Sequence, residues 1–176
     1  MGDVASIVAF HRRNRRHLAP WEPARTASFF TPTHWSAQVR AACADLRARR
    51  SLRMFVFERA RPQRVIGTVS FQNFVRGPFQ ACHLGYSLDA RAQGRGLMTE
   101  ALRLAIAHAF GPLNFHRIMA NYVPRNGRSA RVLRRLGFRV EGRARAYLLI
   151  AGRWQDHVLT SLVNRAWKPP VPLEAG

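Results

Sequence analysis

The chain has 176 residues and carries 29 basic side chains against 9 acidic ones, a formal net charge of +20. This length fits one domain, because single cores of roughly 100–200 residues are the usual unit. Apolar residues make up 47% of the chain and aromatic residues 10%, which excludes a largely disordered protein. The positive charge favours polyanionic partners such as RNA, a ribosomal surface or the phosphates of a coenzyme.

Cysteine content and apolar patterning indicate the compartment. Cys43 and Cys82 are too few for a disulfide framework and lack the spacing of a metal site. Residues 1–10 show no signal-peptide pattern, and no apolar stretch approaches the roughly 18–20 residues that a membrane span needs. We therefore expect a cytoplasmic protein with no membrane segment and no metal.

Two helices are predicted at the start of the chain. Val4, Ile7, Val8 and His11 recur at helical spacing, and this helix ends before Pro20. Thr33 is expected to cap the second helix. The predicted apolar stripe of that helix consists of Trp35, Val39, Ala42, Cys43 and Leu46.

Strands are predicted from residue 52 onward. Residues 54–58 and 65–75 read as a hairpin around a turn at 61–64, and residues 80–88 as a third strand. This strand leads into a loop at 89–96 and then a helix. The inward face of that helix is expected to hold Leu97, Ala101, Leu104, Ala105 and His108.

The second half of the chain continues the alternation of strand and helix. Residues 116–123 read as a strand and residues 126–136 as a helix closed by Gly137, a residue type that tolerates the left-handed cap. Residues 147–150 and 154–163 read as two final strands. The element order predicts a mixed α/β domain with one mostly antiparallel sheet flanked by helices.

The segment most informative for function is the loop Arg91-Ala92-Gln93-Gly94-Arg95-Gly96 between a strand and a helix. Glycines let backbone approach a ligand closely, and the free amides of a helix start favour an anion such as a pyrophosphate. Two glycines alone are also typical of a tight turn, and the third glycine of the dinucleotide fingerprint is absent.

A second motif, Asn126-Gly127-Arg128-Ser129, opens the next predicted helix. Together the two motifs resemble the GNAT superfamily of acetyl-CoA-dependent N-acetyltransferases. The resemblance implies that acetyl-CoA binds the glycine loop, and that Asn126 and Ser129 bind its pantetheine arm and protonate the departing thiolate. The coenzyme-binding residues are expected to be Tyr86, Leu88, Arg91, Gln93, Gly94, Arg95, Gly96, Leu97, Met98, Asn126 and Arg131.

A narrower resemblance covers most of the chain. Residues 14–23, 75–82, 116–122 and 147–157 resemble the RimJ-type ribosomal-protein alanine N-acetyltransferases. This similarity implies transfer of an acetyl group from acetyl-CoA to the α-amine of a protein that begins with alanine. The typical target of this family is a small-subunit ribosomal protein.

The chain departs from the family pattern at its beginning. GNAT domains normally open with a β-strand before the first helix, whereas this chain starts inside the predicted helix. We therefore expect a GNAT fold that lacks the usual first strand and exposes a sheet edge, or a natural start upstream of Met1. The expected domain covers residues 1–167, and residues 168–176 form a Pro-rich tail.

Acetyl transfer to an amine needs a neutral nucleophile, donors for the developing oxyanion and a proton for the thiolate. An α-amine has a reference pKa of about 8, so a modest base suffices. Backbone amides of the strand carrying Leu84, Gly85 and Tyr86 could stabilise the oxyanion. Ser129 or Tyr147 could supply the proton.

The general base is sought among the carboxylates. Two prolines hold Glu22 in a stiff turn beside Trp21, where it could attract a substrate ammonium or simply pair with an arginine. Asp156 could line the cleft from the opposite side, and the neighbouring His157 could act as a base if neutral. We expect a water-relayed base near Glu22, Asn121 or Asp156.

The remaining acids are not assigned to chemistry. Asp89 precedes the phosphate loop, and Glu141 is expected in a polar turn after the last helix. Glu58 is expected to be a solvated charge, and Glu100 an acid favoured by the dipole of its helix.

Two other functions stay open from sequence. A GNAT acting on a small amine such as an antibiotic would need acids to hold a polycation, and the chain has few. A non-catalytic RNA- or ribosome-associated protein would use the basic clusters at residues 12–16, 47–50 and 131–135. In an enzyme that acetylates a ribosomal protein, these clusters could help it meet a protein still bound to RNA.

Overall fold

A computed structural model describes residues 2–169, and one six-stranded sheet runs through them in the order β1-β2-β3-β4-β6-β5. The N-terminal half of the chain supplies strands β1, β2 and β3, which pair with one another in antiparallel orientation. The C-terminal half supplies the other three strands. The strands are β1 Leu52–Glu58, β2 Arg61–Val75, β3 Ala81–Leu88, β4 Arg117–Tyr122, β5 Arg139–Ile150 and β6 Arg153–Val163.

Helices cover both faces of this sheet. They are α1 Gly2–Arg13, α2 Arg15–Leu18, α3 Pro32–Arg47, α4 Leu97–Phe110 and α5 Gly127–Arg135, with 3₁₀ turns at Ala27–Phe30 and Ala90–Ala92. None of these helices is long and apolar enough to cross a membrane. Helix α1 begins at Gly2, the first described residue, and β1 forms one edge of the sheet.

Two hydrophobic cores result from the alternation of side chains along the strands. Val69 and Phe71 of β2 pack with Leu102 of α4 on one face. The opposite face carries the second core, in which Phe10 and Trp35 pack with Phe55 of β1. We call these the α4 face and the α1 face.

Strands β3 and β4 are parallel neighbours that pair over only three positions, from Ala81↔Arg117 to His83↔Met119. Beyond His83, β3 continues to Leu88 in register with β2, and β4 continues to Tyr122 in register with β6. The two strands therefore separate and leave backbone N–H and C=O groups on their facing edges without strand partners. This opening in the sheet positions the functional site.

Several predicted boundaries are wrong for identifiable reasons. The first hairpin turns at residues 59–60, and residues 61–64 already belong to β2. Pro62 is tolerated there because pairing of β2 with β3 begins only at Gly67, so this end of β2 has a free edge. Helix α3 is capped by Thr31, whose Oγ1 accepts a hydrogen bond from the His34 N–H at 3.3 Å, and not by Thr33.

The inward face of α4 also differs from the predicted one. Met98, Leu102, Ala105 and Ala109 are buried, whereas Leu104 is 72% exposed. The predicted face and the buried face of α4 both carry apolar side chains, so helical periodicity alone does not show which face packs against the sheet. A similar error affects the far end of α3, where Leu46 is 43% exposed.

Glu141 lies in β5 and not in a turn. The register of β5 against β6 shifts between Val140 and Gly142, so Glu141 occupies a bulge. Its carboxylate forms an ion pair with Arg117 and accepts a hydrogen bond from Ser161 Oγ at 2.7 Å.

Candidate active site

A cleft of about 930 Å³ lies where β3 and β4 separate. Residues 84–88 line it from β3 and residues 121–123 from the end of β4. The cleft reaches α4 and α5 on one face, and α2, α3 and the residues between them on the other. It therefore connects the two faces of the sheet.

The glycine loop forms the end of this cleft on the α4 face. Gly94 and Gly96 both have φ +77°, a left-handed conformation that strains other residues, and a Cβ on either would meet nothing within 4 Å. Gly96 is the N-cap of α4 and provides no side-chain cap for the first amides of the helix. Open glycine backbone and uncapped helix amides fit a phosphate-bearing ligand.

The side chains of the loop have different roles from its backbone. Gln93 lines the cleft, and its Nε2 lies 2.9 Å from His17 Nε2. Arg91 and Arg95 do not line the cleft, although the sequence predicts both as coenzyme ligands. Arg95 instead pairs with Glu58 at 2.6 Å, so Glu58 is not simply a solvated charge.

The second motif lines the cleft from the start of α5. Asn126 Oδ1 accepts a hydrogen bond from the Ser129 N–H at 3.1 Å, which fixes the first turn of the helix. Ser129 Oγ lies 2.6 Å from the hydroxyl of Tyr86 on β3. Burial raises the pKa of Tyr86 to about 12, so this hydroxyl stays protonated.

The remaining predicted coenzyme residues Leu88, Leu97, Met98 and Arg131 also line the cleft. Three arginines join them that were not singled out from sequence as coenzyme ligands. Helical spacing to Arg131 could have indicated the two that lie on α5, whereas the third precedes the helix and has no such signal. They are Arg125, Arg128 and Arg135.

Glu22 lies at the other end of the cleft, on the α1 face. The N–H of Ala151, in the turn between β5 and β6, donates to the Glu22 carbonyl at 3.0 Å and holds the segment in place. Burial raises the pKa of the Glu22 carboxyl, and the nearby charge of Arg25, at 3.6 Å, opposes this effect. The carboxyl is therefore a better base than an exposed one.

Asp156 and Tyr147 are not brought into the cleft. Asp156 accepts hydrogen bonds from the Ala146 N–H at 3.0 Å and from Arg143 at 2.9 Å, across a register shift in β5. Tyr147 packs against His157, with 5.7 Å between ring centroids. His157 itself lines the cleft, and its Nδ1 lies 3.0 Å from the carbonyl of Gln155.

Sequence reasoning missed a buried connection between the two ends of the cleft. Asp89 is 2% exposed and accepts a hydrogen bond from Arg13 Nε at 2.5 Å. Asn14 Oδ1 accepts one from the Ala90 N–H at 3.0 Å. These contacts tie the glycine loop to α1 across about 76 residues of sequence, and no local motif signals them.

The family relationship agrees with this geometry. A sequence model of the family described as Acetyltransferase (GNAT) domain matches residues 2–139. The chain belongs to the GNAT acetyltransferases. The mixed six-stranded sheet with flanking helices confirms the fold expected from sequence.

Among its relatives, this acetyltransferase is 43% identical to the [Ribosomal protein uS5]-alanine N-acetyltransferase of Escherichia coli K12, over 95% of this chain and 86% of that protein. A solved structure of ribosomal-protein-S5-alanine acetyltransferase from Vibrio fischeri has a TM-score of 0.91 and 46% identity, covering 95% of this chain and 91% of that one.

A solved structure also provides a coenzyme-bound relative. Mycobacterium smegmatis RimJ in complex with CoA-disulfide has a TM-score of 0.86 and 28% identity, covering 93% of this chain and 78% of that one. GNAT acetyltransferases use acetyl-CoA as acetyl donor, and the glycine backbone here fits such a molecule. Within residues 2–169 no cluster of three or more His, Cys, Asp or Glu suits a metal ion.

Proposed function

We propose that this acetyltransferase transfers the acetyl group of acetyl-CoA to the N-terminal α-amine of a small-subunit ribosomal protein that begins with alanine. The observation that carries the proposal is the cleft through the sheet, which gives coenzyme and acceptor separate faces of approach. The 43% identity to the uS5-alanine enzyme over 95% of this chain supports the acceptor class.

The coenzyme would occupy the end of the cleft on the α4 face. Backbone at Gly94, Gly96 and Leu97 would hold the pyrophosphate, because α4 begins at Leu97 and the two glycines lead into it with open backbone. Arg131 on α5 adds positive charge to the same wall. Bound there, acetyl-CoA supplies an activated acetyl group beside the opening between β3 and β4.

Glu22 is the general base of this proposal. Its carboxyl lines the cleft on the acceptor side, and its burial raises the pKa toward the range in which it can take a proton from an ammonium, directly or through water. Asn121 lines the cleft nearby and could position such a water. Asp156 is not used as the base, because its oxygens accept hydrogen bonds from Arg143 and Ala146 at the second register shift of β5.

Ser129 and Tyr86 would provide the proton for the leaving thiolate. Their oxygens are 2.6 Å apart, so Tyr86 can replace a proton that Ser129 gives up. Backbone amides of β3 near Gly85, on the edge that has left β4, would stabilise the oxyanion. Tyr147, the alternative donor, does not line the cleft.

The acceptor end of the cleft does not favour a small polycationic amine. Arg25 and Arg53 line it together with one carboxylate, Glu22. A site for a polycation needs a surplus of acids, since like charges repel. The chain end of a protein offers a single amine and suits one carboxylate better.

The proposal also covers the domain bounds, the cellular compartment and the exposed basic surface. Residues 1–167 would form the acetyltransferase domain, with residues 168–176 as a tail, of which 170–176 lie outside the described residues. A ribosomal acceptor implies action in the cytoplasm. Exposed arginines on α5, including Arg134, would contact ribosomal RNA, and such binding should weaken steeply as salt increases.

Mass spectrometry of two peptides, one beginning with Ala and one with Ser, tests the proposal when the purified protein is given acetyl-CoA. We expect the Ala peptide to gain one acetyl group at its α-amine at the higher rate. Ser129→Ala should lower kcat about 100-fold through loss of the proton donor. Ser36→Ala, on α3 away from the cleft lining, is the control.

Two outcomes would contradict the proposal. One is coenzyme binding without acetylation of either peptide. The other is acetylation of a lysine side chain in preference to the α-amine. A Ser129→Ala variant as fast as the unmodified enzyme would remove Ser129 from the mechanism while leaving the acceptor class intact.

A further inference from the structure

Two guanidinium groups lie on the acceptor side of the cleft and are not used by the mechanism above. Arg25 follows Glu22 in the turn, and Arg53 lies on β1; both line the cleft. In the register of the sheet, Arg53 on β1 lies opposite Ser70 on β2, and Ser70 lies opposite Gly85 on β3. The three residues therefore form one row across the sheet. Arg53 is thus two strands, or about 10 Å, from Gly85 at the opening.

Aromatic rings hold both guanidinium groups. The Arg25 guanidinium lies 4.4 Å from the centroid of Phe29, and that of Arg53 lies 5.8 Å from the centroid of Trp35. The two rings are themselves 5.2 Å apart, and His11 stacks on Trp35 at 4.4 Å. A ring cluster of this kind fixes the position of a cation more tightly than solvent does.

The positive charge of this pair is poorly compensated. Within residues 2–169 no carboxylate lies within 4.0 Å of the Arg53 guanidinium, whose hydrogen-bond partner is Gln38 Oε1 at 3.3 Å. Arg25 has Glu22 at 3.6 Å, and Arg53 is half-buried. A half-buried cation without an anionic partner is costly, so a ligand that supplies an anion would be favoured here.

Neighbouring groups change this balance little. The charge of Asp45 acts on Arg53 from beyond 4.0 Å, and its carboxylate is paired with Arg50 at 2.8 Å. Burial, together with the charges of Arg25 and Arg53, lowers the pKa of His11 to about 4, so His11 is neutral at physiological pH. The floor of the cleft between Arg53 and the opening is polar and uncharged, formed by Thr68, Ser70 and Gln72 on β2. Such a floor suits an extended peptide.

We propose that Arg25 and Arg53 bind an acidic side chain of the acceptor, so that the enzyme selects N-termini with Asp or Glu shortly after the first residue. The inference rests on the proposed function and specifies its acceptor. An extended chain advances about 3.3 Å per residue, so a chain whose first residue lies at the opening reaches Arg53 with its third or fourth residue. Lysine or arginine at that position would be repelled.

Steady-state acetylation of three matched peptides tests the inference. Each begins with Ala and differs only in Glu, Gln or Lys at the fourth position, with a second set varied at the third. We expect kcat/KM for the Glu peptide to exceed that for the Gln peptide about tenfold, as a charge-assisted hydrogen bond would give. The Lys peptide should be the poorest substrate.

Variants separate recognition from folding. Arg53→Gln should remove the preference for Glu over Gln while leaving kcat/KM for the Gln peptide within about twofold, because only the charged contact is lost. Arg40→Gln, an exposed site on α3 outside the cleft lining, should keep the preference. If Arg53→Gln does not fold, Arg25→Gln is compared only by its ratio of Glu-peptide to Gln-peptide kcat/KM, because Arg25 also acts on the Glu22 carboxyl and its loss changes the rate on both peptides.

The possible results are distinguishable. Equal use of the Glu and Gln peptides by the unmodified enzyme would overturn the inference, as would an Arg53→Gln variant that loses activity equally on both. Failure to acetylate any of the peptides would instead count against the proposed function itself.

Discussion

The two ends of the cleft are built in different ways. On the coenzyme side, two short segments, 89–98 and 126–129, supply most of the groups, and the backbone of Gly94 and Gly96 is central. On the acceptor side, the groups are side chains from distant elements, such as Glu22, Arg53 and His157. One end depends on local conformation and the other on tertiary packing.

This difference fits the two kinds of molecule that the cleft would hold. A coenzyme is invariant, so a contiguous loop with fixed backbone geometry is enough to hold it. An acceptor chain varies, and single side-chain changes on a packed surface alter its selection without disturbing that loop. The buried Asp89 joins the two ends, since it binds Arg13 of α1 and directly precedes the loop.

The largest expected effect is on the acceptor side. Glu22→Gln should lower kcat/KM for the peptide about 100-fold or more, because a general base is lost, while the KM for acetyl-CoA changes little. The part of the acid limb that Glu22 contributes should also disappear, leaving the limb that the peptide's own α-amine gives at its pKa of about 8. In the unmodified enzyme activity falls as pH falls through the Glu22 pKa, which burial raises above its ordinary value.

Steady-state kinetics between pH 5 and 9 would measure both effects, with the exposed Glu100→Gln as the matched control. An unchanged pH profile in Glu22→Gln would assign the base to another group, with Asn121-bound water and His157 as the next candidates in the cleft.

The next effect concerns the connection between the two ends. Asp89→Asn should lower the free energy of unfolding by about 2–3 kcal/mol at pH 7, because Arg13 loses a buried, charge-assisted partner. Burial acts to raise the pKa of Asp89, but hydrogen bonds from Arg13 and the Arg91 N–H hold it below its ordinary value. The contribution is therefore present above about pH 4 and is lost as pH falls further.

Urea denaturation at pH 7 and pH 3 would check this sign. The difference between the unmodified enzyme and Asp89→Asn should shrink at pH 3. Asp45→Asn breaks an exposed pair with Arg50 and should cost less than about 1 kcal/mol. Equal losses in the two variants would show that Asp89 does not tie the loop to α1.

The smallest effect is expected on the coenzyme side. Gly96→Ala places a Cβ at φ +77°, which costs roughly 1 kcal/mol and should raise the KM for acetyl-CoA about fivefold with the peptide KM unchanged. Gly77→Ala carries a similar strain at φ +67° in a remote turn and should leave both KM values unchanged. A rise in the peptide KM alone would contradict the division of the cleft.

The difference between the two ends of the cleft also explains how much of the site could be predicted from the sequence. The glycine loop and the Asn126–Ser129 turn were predictable, because their chemistry lies in neighbouring residues and left-handed φ values favour glycine. The inward face of α4 was not predictable, since Leu104 and Leu102 are equally apolar and only packing decides between them.

On the acceptor side, prediction from sequence named Glu22, which lies in the cleft, but not the groups around it. Its two flanking prolines are a local signal, whereas the row from Arg53 to Gly85 depends on strand register. Asp156 resembled a candidate base in sequence, yet its hydrogen bonds to Arg143 and Ala146 are made within an irregular hairpin that only the fold defines.

In the proposed function, one continuous cleft holds coenzyme on one face of the sheet and the acceptor N-terminus on the other. Calorimetric titration with a conjugate, in which coenzyme A is joined through an acetyl spacer to the α-amine of an Ala-first peptide, tests it directly. We expect a Kd at least about tenfold lower than that of coenzyme A or the peptide alone, because both parts bind at once. A conjugate that binds no more tightly than coenzyme A would contradict it.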